Sequence, residues 1–407
     1  MYKLYVIGID DLALNNKQEQ LLLDCSHVFG TGRFGNLVAG LDITFQPITP
    51  LQSAFEQIKQ ALKSNNVAVF ASGDPLFYGI GKRLTEEFPR ENIEFYPALS
   101  SIQRGCALFK IAWDDARIVS LHGRDDQNIH LPSLLLQAQK NLAFTDKANS
   151  PDIIAEKLLN YLRLVGDKNL IDNIELLVAE DIGLENEKVF RGSLNETHNR
   201  TFSPLNILCL LAPTLQSSSC TLGLTEDDIH HSRGLITKNE VRAATLHQLQ
   251  LPATGVLWDV GAGSGSISIE AAKSNPQLTV YAIEHKPEEI ENIKNNIVKF
   301  GCYNVIPIFG RAPEALSTLP DPDRIFVGGS SGSLDTIVKI GAERLPQGGR
   351  FVVNGVIAKT IDSAPKFLSE NKFKYRASTI KVSRKDDSGN YTEYNPITIF
   401  AGSKQSL

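Results

Sequence analysis

Residues Asp259-Val260-Gly261-Ala262-Gly263-Ser264-Gly265 decide the fold of half of this chain. They follow the apolar stretch Thr254 to Trp258 and lead into Ile267-Ser268-Ile269-Glu270-Ala271-Ala272, so the passage reads as strand, tight turn, helix. Glycines at alternate positions let the backbone turn through positive φ and predict a ligand lying against bare N–H groups. An α/β sheet builds a nucleotide pocket in this way.

A dinucleotide fingerprint needs a third glycine where this chain has Ser266. Asp259, ahead of the glycines, suits a cationic amino group and would repel a pyrophosphate. Downstream, Leu278-Thr279-Val280-Tyr281-Ala282-Ile283 reads as a second strand ending at Glu284, a position from which a carboxylate accepts both ribose hydroxyls. Ile290, Ile293, Ile297 and Phe300 then recur at helical spacing, with Gly301 as the C-cap. Together these features resemble motif I and the following acidic position of Rossmann-like methyltransferases that use S-adenosylmethionine.

The rest of this half alternates as a doubly wound sheet does. Strands are expected at Gly255 to Val260, Leu278 to Glu284, Val305 to Phe309, Arg324 to Val327 and Arg350 to Asn354. Tyr375 to Val382 and Pro396 to Ala401 follow with no helix between them, which predicts an antiparallel pair at one edge.

With 407 residues the chain has room for two or three domains. The Ser-rich passage Ala212 to Cys220 predicts a linker, dividing the chain into 1–212, a linker at 213–222, and 223–407. A hydrophobic share of 42%, a charged share of 21% and a net charge of −5 fit a globular enzyme and argue against a nucleic-acid partner. The five scattered cysteines form no C-x-x-C, so neither a disulfide framework nor a metal site is expected, and the reading is a reduced, cytoplasmic protein. No signal peptide or membrane segment is expected.

The first half carries different glycine clusters. Val67 to Ser72 reads as a buried strand running into Gly73-Asp74-Pro75-Leu76, where Pro75 suits the first position of a helix and Asp74 its N-cap. Pro97-Ala98-Leu99-Ser100-Ser101, Ser120-Leu121-His122-Gly123-Arg124 and Phe144-Thr145-Asp146-Lys147 each follow a strand-like run. This ordered set, covering nearly all of residues 1–212, resembles the tetrapyrrole methylase family, whose two α/β subdomains hold S-adenosylmethionine in a cleft unlike the Rossmann one. The chain departs from that family's Gly-x-Gly-Pro-Gly turn, having Gly8-Ile9-Asp10-Asp11-Leu12 after its first strand.

In the second half, Gly223-Leu224-Thr225-Glu226-Asp227, Leu235 to Arg242, Gly310 to Ala315 and Phe326 to Ser330 resemble the decarboxylating methyltransferases of corrin synthesis. A fusion in this order resembles the bifunctional methyltransferases of cobalamin biosynthesis that act on precorrin-6B. The resemblance implies methylation of the macrocycle at carbons 5 and 15 with loss of carbon dioxide from the carbon-12 acetate, giving precorrin-8X. It implies S-adenosylmethionine against Thr237, Asp259, Gly261, Ala262, Gly263, Ser264, Gly265, Glu284 and Ala312 in one half. In the other it implies Gly73, Asp74, Pro75, Leu76, Ser100, Ser101, Thr145 and Asp146. Members of the family tend to associate, so a homo-oligomer is expected. The catalytic groups are left unassigned; candidates for gripping substrate are His230, His231, Arg233, Gly328, Gly329 and Ser330. The glycine run alone leaves the acceptor open, so an RNA or protein methyltransferase with an accessory domain stays as the alternative. Against it stand the acidic charge and the presence of Gly328-Gly329-Ser330 where an Asn-Pro-Pro-Tyr type motif would lie.

Overall fold

The computed structural model describes all residues except 1, 11–12, 123–129, 214–221, 233–235 and 405–407. The linker expected at 213–222 therefore falls almost wholly outside the described residues, as does Arg233. Three sheets organise the chain, and the elements alternate largely as the apolar runs predict.

The first sheet is parallel throughout, with the order β3-β2-β4-β1-β5, built from β1 (Leu4–Ile9), β2 (Cys25–Gly30), β3 (Thr44–Pro47), β4 (Asn66–Ser72) and β5 (Ile93–Tyr96). All of its strands end at one edge, where such sheets bind ligands. β1 and β4 are nearly continuous apolar runs because both faces are covered. The second sheet is mixed, in the order β6-β7-β10-β8-β9. Its strands are β6 (Arg117–Ser120), β7 (Lys140–Phe144), β8 (Glu175–Glu180), β9 (Lys188–Ser193) and β10 (Asn206–Leu211).

The third sheet has seven strands in the order β13-β12-β11-β14-β15-β19-β16. β11 (Gly255–Val260), β12 (Leu278–Glu284), β13 (Val305–Phe309), β14 (Arg324–Val327) and β15 (Arg350–Gly355) are parallel; β16 (Phe373–Ile380) and β19 (Ile397–Lys404) form the expected antiparallel pair. β19 lies inside, against β15, and β16 takes the edge. A two-stranded hairpin of β17 (Ser383–Lys385) and β18 (Tyr391–Glu393), not anticipated from the sequence, leaves the sheet where β15 ends, because Gly355 is in register with Thr398 and Ile380 with Ile397. It thus stands at the ligand edge.

The helix Pro151–Val165 of the first half packs on the helix Pro287–Phe300 of the second, and one apolar cluster runs from Ile154, Leu158 and Tyr161 to Cys302, Tyr303 and Val305. Two buried phenols fix this contact. The Tyr161 hydroxyl donates to the Val305 carbonyl at 2.7 Å, and the Tyr303 hydroxyl to Asp167 Oδ2 at 2.8 Å. Tyr303→Phe leaves a buried carboxylate oxygen short of a donor and is expected to cost about 1–3 kcal/mol. Urea unfolding of the full chain checks this; an unchanged midpoint would show that the junction does not depend on that bond.

Candidate functional site

At the carboxyl end of β11 the chain turns so that Gly261 (φ 70°) meets the loop after β14: a Cβ there would collide with the Gly329 carbonyl and lie 2.7 Å from its nitrogen. Gly328 N donates to the Val260 carbonyl at 2.9 Å, closing the same contact. Gly263 (φ 55°) has the opposite surroundings, with nothing within 4 Å of where its Cβ would stand. One glycine is required by neighbouring backbone, and the other leaves a hollow.

Much of the loop's own N–H capacity is spent inside the protein. Gly261 and Ala262 both donate to the Ile283 carbonyl, at 2.9 and 3.0 Å, Gly263 to Glu284 Oε2 at 2.9 Å, and Gly265 to the Ala262 carbonyl at 2.9 Å. These bonds fix the shape that the loop offers a ligand. Glu284, 5% exposed, is the clip: Oε1 accepts from His285 N at 2.8 Å and Lys286 N at 3.0 Å, while Oε2 accepts a single bond and keeps lone-pair capacity for a hydroxyl. The β13 end is tied in by Gly310 N donating to the Glu284 carbonyl at 2.9 Å, which brings the buried Ala312 to the same rim.

Asp259, read as suited to a cationic amino group, sits in the interior at the end of β11. It is fully buried, Oδ2 accepts from the Ser268 hydroxyl at 2.6 Å, and Oδ1 has no partner among the described residues. Burial, helped by the nearby Glu284 charge and opposed by Ser268, pushes its carboxyl up to about 7. The orphaned oxygen at the strand end before the glycine loop keeps capacity for a polar partner.

The lead-in segment is held against this loop by a second buried carboxylate. Glu270 accepts from Gly223 N (2.6 Å) and Leu224 N (2.8 Å) and pairs with Arg242, whose guanidinium also donates to the Thr237 carbonyl at 3.0 Å. Asn296 spans the two parts: its amide donates to the Ser264 and His230 carbonyls, and its oxygen accepts from His230 N. Thr237 and His230 thus come to the glycine loop, and Gly328, Gly329 and Ser330 adjoin it. His231 is engaged by its own segment, with Nδ1 2.8 Å from the Ile229 carbonyl. Arg384 of the hairpin bridges Glu226 (2.6 Å) and Glu240 (2.7 Å) on either side of Thr237, and Lys238 also pairs with Glu226. Asn296, Glu270 and Arg384 escaped sequence reasoning; for Asn296 the signal was a polar residue on the apolar stripe between Ile293 and Phe300.

In the first half, Gly8 and Gly73 touch so closely that a Cβ on Gly8 would strike the Gly73 carbonyl, and one on Gly73 would lie 2.9 Å from Ser100 Cα. Of the family's glycine turn, Gly8 is kept at the point of closest approach. Asp74 does not cap a helix starting at Pro75. Its Oδ1 accepts from Leu76 N at 2.9 Å in a local turn, and the helix begins at Gly81, because Gly81 N is drawn back to the Pro75 carbonyl at 2.8 Å. Leu76 is exposed beside it. Ser100 spends its hydroxyl as the N-cap of the helix Ser101–Phe109. Thr145, nearly buried, donates to Asn206 Oδ1 at 2.6 Å, and Asp146 Oδ1 accepts from Ala148 N and Asn149 N. The turns bearing Gly73–Leu76 and Ser100 meet at one edge of the first sheet, and the Thr145–Asp146 turn follows β7 of the second.

The family profile for the Precorrin methyltransferase domain matches residues 228–402, and that for Tetrapyrrole (Corrin/Porphyrin) Methylases matches residues 42–197. A precorrin-6Y C(5,15)-methyltransferase [decarboxylating] from Sinorhizobium sp is 34% identical over 357 residues, covering 86% of this chain and 83% of that protein. A probable cobalt-precorrin-6B C(15)-methyltransferase (decarboxylating) from Pyrobaculum calidifontis is 37% identical over 44% of this chain and 94% of its own length. A solved precorrin-6y C5,15-methyltransferase from Geobacter metallireducens is 36% identical, with a TM-score of 0.45, over 46% of this chain and 98% of that one.

The Asp259 geometry sets a pH dependence. Its folded pKa of about 7 lies above the unfolded carboxylate value near 4, so its contribution is complete below about pH 4 and is lost as pH rises through 7, roughly 4 kcal/mol in all. Unfolding free energies from pH 4 to 8 are expected to fall less steeply for Asp259→Asn than for the parent; parallel slopes would refute the assignment.

Proposed function

We propose, because this chain belongs to the family of decarboxylating precorrin-6Y C(5,15)-methyltransferases, that it methylates its tetrapyrrole at carbons 5 and 15 and removes carbon dioxide from the carbon-12 acetate, yielding precorrin-8X. The observation that carries the reading is the pairing, on one chain, of the hollow at Gly263 with a second glycine-lined turn at Gly8 and Gly73. We assign residues 1–212 and 223–407 to the two units, in keeping with the separate sheets. S-adenosylmethionine is the cofactor of both, and self-association is part of the proposal.

When bound, S-adenosylmethionine supplies an electrophilic methyl group on a sulfonium. The residues around it hold and orient. Glu284 Oε2 accepts from a ribose hydroxyl while keeping the Gly263 N–H, and Ala312 leaves room beside the adenine. Thr237 stands at the methionyl end. Gly328, Gly329 and Ser330 leave the β14 rim without bulky side chains, so a flat macrocycle reaches the glycine loop. Bringing donor and acceptor carbons to attack distance is the main requirement of an in-line displacement. At the acceptor the macrocycle carbon supplies the electron pair of the new bond and sheds its proton afterwards. In the decarboxylation the pair of the broken C–C bond passes into the conjugated ring, and a proton replaces the carbon dioxide. The exposed His230, whose backbone Asn296 holds, is the donor we assign to a substrate carboxylate.

Incubation with precorrin-6Y and S-adenosylmethionine is expected to add two methyl groups and remove one carbon dioxide, read by mass spectrometry. Glu284→Ala is expected to lower cofactor affinity in the second unit at least 10-fold and leave a singly methylated, undecarboxylated product. Undiminished turnover by that variant would overturn the Glu284 assignment. Methyl transfer to RNA or protein in place of the macrocycle would overturn the function.

A further inference from the structure

The carboxyl edge of the first sheet carries a cation, Arg33, that the assignments above do not use. Arg33 lies just past β2, in the short helix Gly32–Val38. Its Nη2 donates to the hydroxyl of Ser72, the last residue of β4 and the neighbour of Gly73. Its guanidinium carbon sits 4.7 Å over the Phe34 ring, and Phe34 is itself buried. No carboxylate pairs with it among the described residues. The nearby polar groups are spoken for: Asp74 Oδ1 accepts from Leu76 N, and Arg104 donates to the Asp10 carbonyl. Desolvation draws the Arg33 pKa below its ordinary value, so the group stands ready to gain from an anion.

The same edge exposes apolar side chains on the turns after β4 and β5. Leu76 is 57% exposed, Tyr78 56% and Leu99 53%. An apolar platform with a fixed, unpaired guanidinium at its side matches a flat conjugated ring with carboxylates on its rim. A guanidinium with one donor spent on Ser72 keeps a fork of donors for a carboxylate.

We propose that Arg33 grips an acetate or propionate carboxylate of the tetrapyrrole in the cleft of the first half and so sets the register of the ring over the Gly73 turn. This rests on the reading that the first half methylates a polycarboxylate macrocycle. Arg33 is a binding residue, with no proton to give or take. A second source of the same chemistry is the methionyl carboxylate of the cofactor, and the experiment separates the two.

The full chain, Arg33→Ala and Arg33→Lys are compared with precorrin-6Y and saturating S-adenosylmethionine, following each methyl addition by mass spectrometry. Cofactor stoichiometry and affinity are measured by equilibrium dialysis. For Arg33→Ala the KM of the first-half methylation is expected to rise at least 10-fold, with kcat changed less than 2-fold and two cofactor equivalents still bound. Added salt raises that KM in the parent and hardly at all in Arg33→Ala, and Arg33→Lys recovers part of the loss. Decarboxylation and methylation by the second half stay at the parent's rate. A parent-like KM and salt dependence in Arg33→Ala would overturn the proposal, as would a weakened cofactor with the tetrapyrrole KM intact. Failure of the parent itself to methylate the macrocycle in the first half would overturn the functional reading on which it stands.

Discussion

The contact of Gly261 with Gly329 is the constraint around which the second half is arranged. Strands β11 and β14 are neighbours in a parallel sheet, and the turns that leave them press backbone on backbone with no room for a Cβ at Gly261. A side chain there would force the two strand ends apart, and the hollow at Gly263 would lose its wall. Because Gly261 and Ala262 both bond back to Ile283, the turn is also anchored to β12 on its other side. Three adjacent strand ends are thereby locked into one rim, and the cleft is a property of that lock.

Three buried carboxylates surround the loop, and each is stabilised differently. Glu270 faces the buried Arg242, an arrangement whose value lies in positioning, since the desolvation of both ions offsets much of their attraction. Glu284 rests on three backbone N–H groups, with His285 Nδ1 2.9 Å from Oε1. Asp259 accepts from Ser268 alone and keeps one empty oxygen, and burial raises its affinity for a proton. The least satisfied of the three lies at the strand end from which the glycine loop departs. Stability is given up where a ligand has something to supply.

Much of this was legible in the chain. The order of strands and helices in the second half follows from apolar runs of strand length and from the helical spacing of Ile290, Ile293, Ile297 and Phe300, since burial enforces a period that a sequence displays. The antiparallel pair of β16 and β19 was visible because the polar segment between the two runs carries no helical apolar period. The Gly73–Pro75 turn was visible as a turn, and its helix start was placed six residues early, since Pro75 satisfies a local preference that the tighter bond from Gly81 overrides. The hairpin of β17 and β18 is short, polar and exposed, and its sequence carries no periodic burial to announce it.

The sequence by itself determined the two kinds of glycine turn, the acid at the end of the second strand and hence the family, because these depend on backbone freedom and on residue type at fixed short spacing. Only the tertiary structure decided what those residues face. That Gly261, Ala262 and Gly263 spend their N–H groups on Ile283 and Glu284, that Asp259 is sealed at the end of β11, and that Arg384 reaches back to Glu226 and Glu240 across some 150 residues depend on contacts between distant segments. Local spacing encodes none of them, since they arise from how separate elements pack and which polar groups that packing leaves without water.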